Sequence, residues 1–160
     1  SALRAKSYEL CGELADGAIS WVSPDIYLKE VALPAIAKGA EAVGREAPPL
    51  IAHVPICVDE NVEDVRSAAR NQLAHYPRSP FYQAMFAQAG FPEAAETSNW
   101  SDGMIEAVVF SGNEEKIEER IEKLFEYGVT EIIFSIVTTE ADPDSSRERS
   151  LELLSKVAQD

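Results

Sequence analysis

Few side chains in these 160 residues are of types that do chemistry unaided. There are two histidines, His53 and His75, and two cysteines, Cys11 and Cys57. His53 sits in the middle of the apolar run Leu50–Val58, whereas a proton carrier on a strand belongs at its C-terminal end, near 57–59. It reads as a satisfied interior residue. His75 stands at a helix end beside Tyr76, where an imidazole complements the negative terminus of the dipole. Two histidines so far apart give no Ser-His-Asp or Cys-His arrangement. The cysteines fall in a helix-like and a strand-like run, with no CxxC or Cys/His cluster, and read as buried, reduced thiols of a cytoplasmic protein.

Carboxylates are abundant, and their grouping bears on metal binding. Glu114, Glu115, Glu118, Glu119 and Glu122 spread around a segment that also carries Lys116, Arg120 and Lys123, the pattern of a solvated helix face with i,i+4 pairs. Glu140, Asp142 and Asp144 flank Pro143 and lack the glycine and spacing of a calcium loop. No metal site is assigned. Fourteen Lys and Arg against 28 Asp and Glu give a net charge of -14, which repels phosphate backbones and acidic membranes. Neither nucleic acid nor membrane is expected as a partner. No apolar stretch approaches the roughly 20 residues that span a bilayer, and no basic-then-apolar segment opens the chain.

The elements that must position these residues follow from periodicity and punctuation. Leu10, Cys11 and Leu14 recur at helical spacing over 5–15, and Asp16-Gly17 ends that segment. Residues 18–22 form a short apolar strand, and Ser23-Pro24-Asp25 starts a helix over 24–43 that Pro34 should kink or restart near Leu33. Leu50–Val58 is the clearest strand. Asn61 and Asp64 then form a capping-box-like pair before a stripe of Val62, Val65, Ala69 and Leu73. Residues 76–102, with Tyr76, Phe81, Tyr82, Phe86, Phe91 and Trp100 among four punctuating Pro and Gly, read as an excursion with at most one short helix, 81–89. It is either a substrate-facing lid or an interface for another subunit. After 101–113, Ile117, Ile121, Leu124 and Phe125 mark an amphipathic helix closed by Gly128. A strand over 131–137 and a terminal helix with Leu151, Leu154 and Val157 inward complete the chain. Strands alternating with helices imply parallel pairing with right-handed crossovers.

Three motifs in order carry a family resemblance. They are Ala2-Leu3-Arg4-Ala5-Lys6 with Cys11-Gly12-Glu13-Leu14-Ala15-Asp16-Gly17-Ala18-Ile19, then 54–69, then Phe110-Ser111-Gly112-Asn113-Glu114-Glu115 leading to Tyr127-Gly128-Val129-Thr130-Glu131. Together they resemble the back half of the luciferase-like monooxygenases, flavin- or deazaflavin-dependent oxidoreductases. The resemblance implies an α/β fold, the C-terminal half of a (β/α)8 barrel, with four helices and three to four strands plus a loop/helix excursion in one domain over 1–160. It implies FMN or the deazaflavin coenzyme F420 as cofactor, held with a small-molecule substrate in the intact enzyme.

By that resemblance, backbone N–H groups at Ala2, Leu3 and Arg4 approach the cofactor phosphate, with Lys6 adding positive charge. Ala5 stands where the family's turn usually has Pro. The competing reading makes Arg4 and Lys6 solvated charges on a frayed terminus. Ser20 and Trp21 would line the cofactor pocket at the end of their strand, with Trp21 an aromatic wall for the ring; alternatively Trp21 fills the barrel rim as an ordinary core residue. Catalytic residues are expected upstream. The chain is accordingly expected to be inactive alone and to form a homo-oligomer, the alternative function being a non-catalytic half-barrel that self-associates.

Overall fold

In the computed structural model, which describes residues 1–139 and 142–158, the longest strand organises the molecule. This is β2 (Leu50–Val58), nine residues, all but Ile51 buried. A run so uniformly apolar suits a parallel strand covered on both faces. Strand β1 (Ala18–Trp21) pairs parallel with Leu50–His53, and β4 (Glu131–Ile136) pairs parallel with residues 51–56. Both use the same stretch of β2, so they lie on its opposite edges. The short β3 (Phe110–Gly112) meets the strand's C-terminal end, Ile56 to Val58. The four strands are thus parallel, joined by helical crossovers as the alternation requires.

Helix α1 (Ala5–Leu14) precedes β1; α2 (Asp25–Tyr27) and α3 (Leu33–Ala42) follow it as one rod. Pro34 does disturb that rod. A π-helical turn, Leu28–Ala32, sits directly before it, and the Leu33 N–H reaches back five residues to the Leu28 carbonyl. The wider turn absorbs the ring that would otherwise clash with the preceding carbonyl. Helix α4 (Val62–Gln72) starts where expected: the Asn61 side chain accepts from the Asp64 N–H and donates to the Asp64 carboxylate. Helix α8 (Glu114–Tyr127) is capped by Asn113 and closed by Gly128 at φ 107°.

The excursion holds more helix than its Pro and Gly content suggests. A 3-10 turn (Tyr76–Arg78) leads into α5 (Pro80–Gln88) and α6 (Ala94–Thr97). It ends against α7 (Asp102–Val108), which Ser101 caps. Phe86 packs edge-on against both Phe91 and Trp100, giving the excursion an apolar centre. Arg66 of α4 joins Glu63, Asp102 and Glu106, tying α4 to α7.

Several apolar stripes face differently from the periodic expectation. In α1 the buried residues are Tyr8 and Gly12, while Leu10 and Leu14 are exposed. Backbone contact explains this. A Cβ built on Gly12 would collide with the Ile36 carbonyl oxygen, and one on Gly39 with the Glu9 carbonyl oxygen. The two helices cross so closely that glycine, not leucine, defines the inner face. In α4 the stripe loses Val62, and in α8 it loses Phe125; both side chains are exposed. In α9 (Pro143–Val157) Leu154 and Val157 pack against the core as expected, but Leu151 is exposed and Leu153 is buried in its place, beside the small polar Ser146 and Ser150. Glu140 lies outside the described residues. No helix among the described residues is long and apolar enough to cross a membrane.

Candidate functional site

The start of the chain runs beside β1 before entering α1. The Ala2 N–H donates to the Ile19 carbonyl at 2.8 Å, and Ala2 is buried. That places Arg4 at the N-cap of α1, in extended conformation. No side chain caps this helix, and its first turn holds no acidic residue. Leu3, Arg4, Ala5, Lys6 and Ser7 form one wall of a half-open cleft of about 500 Å³. Ser79, Phe81, Tyr82 and Gln88 of the excursion supply the other. No acidic residue lines the cleft, although the chain carries twice as many acids as bases. Among the described residues neither Arg4 nor Lys6 is ion-paired. An uncapped helix N-terminus with two unpaired cations has the electrostatics to attract an anion.

Next to the cleft lies an aromatic cluster at the C-terminal end of β1. Trp21 pairs in register with His53, so both rings stand on one face of the sheet. They stack at 3.7 Å between centroids and 7° between planes. The Trp21 indole N–H donates to the Tyr76 hydroxyl at 2.7 Å, and the Tyr82 hydroxyl donates to the Trp21 carbonyl at 3.0 Å. Tyr82 also lines the cleft, so cleft and cluster share a residue. The next residue, Val22, is fully buried with φ 48°, a left-handed conformation that a β-branched residue takes only under constraint.

The residues singled out from sequence therefore divide. Leu3, Arg4 and Lys6 come together on the cleft. Trp21 keeps 36% of its surface exposed. Ala2 spends its N–H on β1, and Ser20, fully buried, faces the opposite side of the sheet from Trp21. Neither lines the cleft. His53 is interior, but not satisfied: its Nδ1 is buried with no hydrogen-bond partner. Burial holds its pKa down at about 4. Its place beside Trp21 was hidden because β1 pairs only with the first half of β2, which brings a mid-strand residue level with a strand end. Ser79 and Gln88 carried no motif at all.

A second polar cluster closes the C-terminal end of β2. The Ser150 hydroxyl accepts from the Val58 N–H at 3.1 Å and donates to the Ser146 carbonyl. The Ser146 hydroxyl takes the Thr139 N–H and lies 3.8 Å from the Cys57 sulfur, while Thr139 donates to Asp59. Burial pushes the Cys57 thiol up, away from thiolate chemistry. This cluster docks α9 against the end of β2.

A family model described as luciferase-like monooxygenase matches residues 1–131. The chain belongs to that family. The chain is 32% identical over 89 residues to an uncharacterized protein of Mycobacterium tuberculosis, a match covering 52% of this chain and 26% of that protein. Its fold is similar to an F420-dependent secondary alcohol dehydrogenase solved with an F420-acetone adduct, with TM-score 0.68 and 16% identity over 95% of this chain. It is also similar to the oxygenating constituent of 3,6-diketocamphane monooxygenase from Pseudomonas putida, solved with FMN, at TM-score 0.55 and 15% identity over 97% of this chain. The chain spans 46% and 45% of those two structures. At such identities the likeness shows the fold, a parallel α/β arrangement matching part of a luciferase-like barrel.

Proposed function

We propose that this chain forms the cofactor-phosphate side of a luciferase-like oxidoreductase, with FMN or coenzyme F420 as cofactor and a small organic molecule as substrate. One observation carries the reading: the uncapped, acid-free N-terminus of α1, with unpaired Arg4 and Lys6, opens on a cleft large enough for part of such a ligand. The residues present fit an anionic, partly aromatic group. Leu3 and Arg4 backbone and the Arg4 and Lys6 side chains hold its phosphate, while Trp21 presents a flat wall for its ring. Ala2 and Ser20 serve by fixing β1 beneath them. When bound, a flavin or deazaflavin supplies two-electron redox chemistry. The chain's own part is to bind, orient and shield. Residues 76–102 act as the lid side of the cleft, and the unpaired thiols of Cys11 and Cys57 suit the reducing cytoplasm. Catalytic groups come from outside this chain, so turnover by the chain alone is absent.

Titration with FMN and with riboflavin, which lacks the phosphate, tests this directly. FMN should bind more tightly, and Arg4→Ala should weaken FMN about tenfold while leaving riboflavin unchanged, the size of one lost charged hydrogen bond. Failure of the wild-type chain to bind FMN or coenzyme F420 at millimolar concentration would overturn the reading.

A second reading, a half-barrel that self-associates without catalysis, is favoured by the sheet face that carries Trp21. Ile133, level with His53 in β4, is 41% exposed there. Parallel strands are normally covered on both faces.

A further inference from the structure

Trp21 is held far more firmly than an exposed side chain requires. His53 lies flush against one face of its indole, Tyr76 takes its N–H, and Tyr82 takes its carbonyl. These holds come from three elements, β2, the 3-10 turn and α5. One of these holds, and the residue that follows Trp21, carry a cost. His53, only 4% exposed, leaves Nδ1 without a partner, where an apolar ring of similar shape would leave no orphan. Val22, the next residue, sits in a strained conformation. Burial alone does not call for a flat ring at 53, since leucine there would bury more cheaply. Costs of this kind persist where the geometry they enforce is used.

Tyr82, which lines the cleft that begins at Arg4 and Lys6, bonds the Trp21 carbonyl and packs edge-on against Tyr76, so the indole cluster adjoins the cleft. We propose that His53 and Tyr76 are positioning residues that fix the Trp21 indole as a preformed flat wall for the planar conjugated ring of the ligand whose anionic end sits at α1. The inference rests on the cofactor reading above and adds to it the two residues that set the ring's plane. A wall already fixed spares the ordering that a free rotamer would undergo on binding. Neutral imidazole suits the task, because it stacks on the indole without bringing charge into a buried site.

The test uses the 160-residue chain, with FMN and riboflavin as probes, affinities read from quenching of flavin fluorescence, and the visible circular dichroism of the bound flavin. Tyr76→Phe keeps the ring and loses the acceptor; His53→Ala removes the stacked ring, and His53→Phe restores a flat one. Tyr76→Phe and His53→Ala should weaken both probes by the same factor, up to about tenfold, the value of one aromatic contact. Both should also change the visible dichroism, and His53→Phe should return affinity and dichroism to wild type. A purely structural role would instead lower thermal stability and leave affinity and dichroism of the folded fraction unmoved. Wild-type affinity and dichroism in Tyr76→Phe and His53→Ala, with Arg4→Ala still selective against FMN, overturns the positioning role and leaves the phosphate reading standing. No binding of either probe to the wild-type chain overturns both. Should His53→Ala fail to fold, Tyr76→Phe decides by the same criteria.

Discussion

His53 shows how a single side chain can be placed correctly in a strand and misjudged in its role. The apolar run around it fixes its burial; nothing in that run shows that its neighbour is an indole or that one ring nitrogen is orphaned. Its titration has a stability consequence. The unfolded chain takes up the imidazole proton near the ordinary value of 6.5 and the folded chain only near 4, because burial disfavours the charged ring. Between those values the unfolded state binds more protons, so stability is complete above about pH 6.5 and falls as pH drops toward 4. Each unit of such a shift is worth about 1.4 kcal/mol. Urea unfolding between pH 7.5 and 4.5 should show this decline, and His53→Phe should flatten it. An unchanged slope in that variant would assign the decline to other groups.

At the scale of elements, contacts made by backbone rather than side chains redirect the helices. The crossing of α1 and α3 through Gly12 and Gly39 leaves no room for a methyl group. Gly39→Ala should cost roughly 1–3 kcal/mol or more, as overpacking does, whereas Leu14→Ser, at a residue 74% exposed, should change stability by less than about 0.5 kcal/mol. Denaturant midpoints read both, and the reverse ranking would contradict the packing described. Helix α9 is similar in kind, since hydroxyls rather than leucines hold its first turns. Ser150→Ala leaves the buried Val58 N–H unpartnered and should destabilise by about 1–3 kcal/mol. The strand β2, the cap at Asn61, the left-handed Gly128 and the disturbance at Pro34 were all legible beforehand, because each depends on a few adjacent residues. The inner face of α1 and the exchange of Leu151 for Leu153 in α9 were not, because a stripe of leucines says only that a helix is amphipathic, not which neighbour it meets.

For the molecule as a whole, the two faces of the sheet are unequal. Ala18, Ser20, Leu50, Ala52 and Val54 are buried on one; on the other Trp21 and Ile133 stay exposed. Light scattering across a concentration series should show association through this face, and Ile133→Glu should reduce it. A monomer at every concentration with no binding of an apolar dye would remove the self-association reading while leaving the cleft untouched.

The sequence by itself determined the parallel α/β order, the family and the basic turn at Leu3, Arg4 and Lys6, since periodicity, caps and short motifs are written in neighbouring residues. Tertiary structure decided the rest of the site. It turned Ser20 away from Trp21, spent the Ala2 N–H on β1, and brought His53, Tyr76 and Tyr82 around one indole. Those outcomes depend on strand register and on where the excursion folds back, which are set by contacts between residues 17 to 61 positions apart.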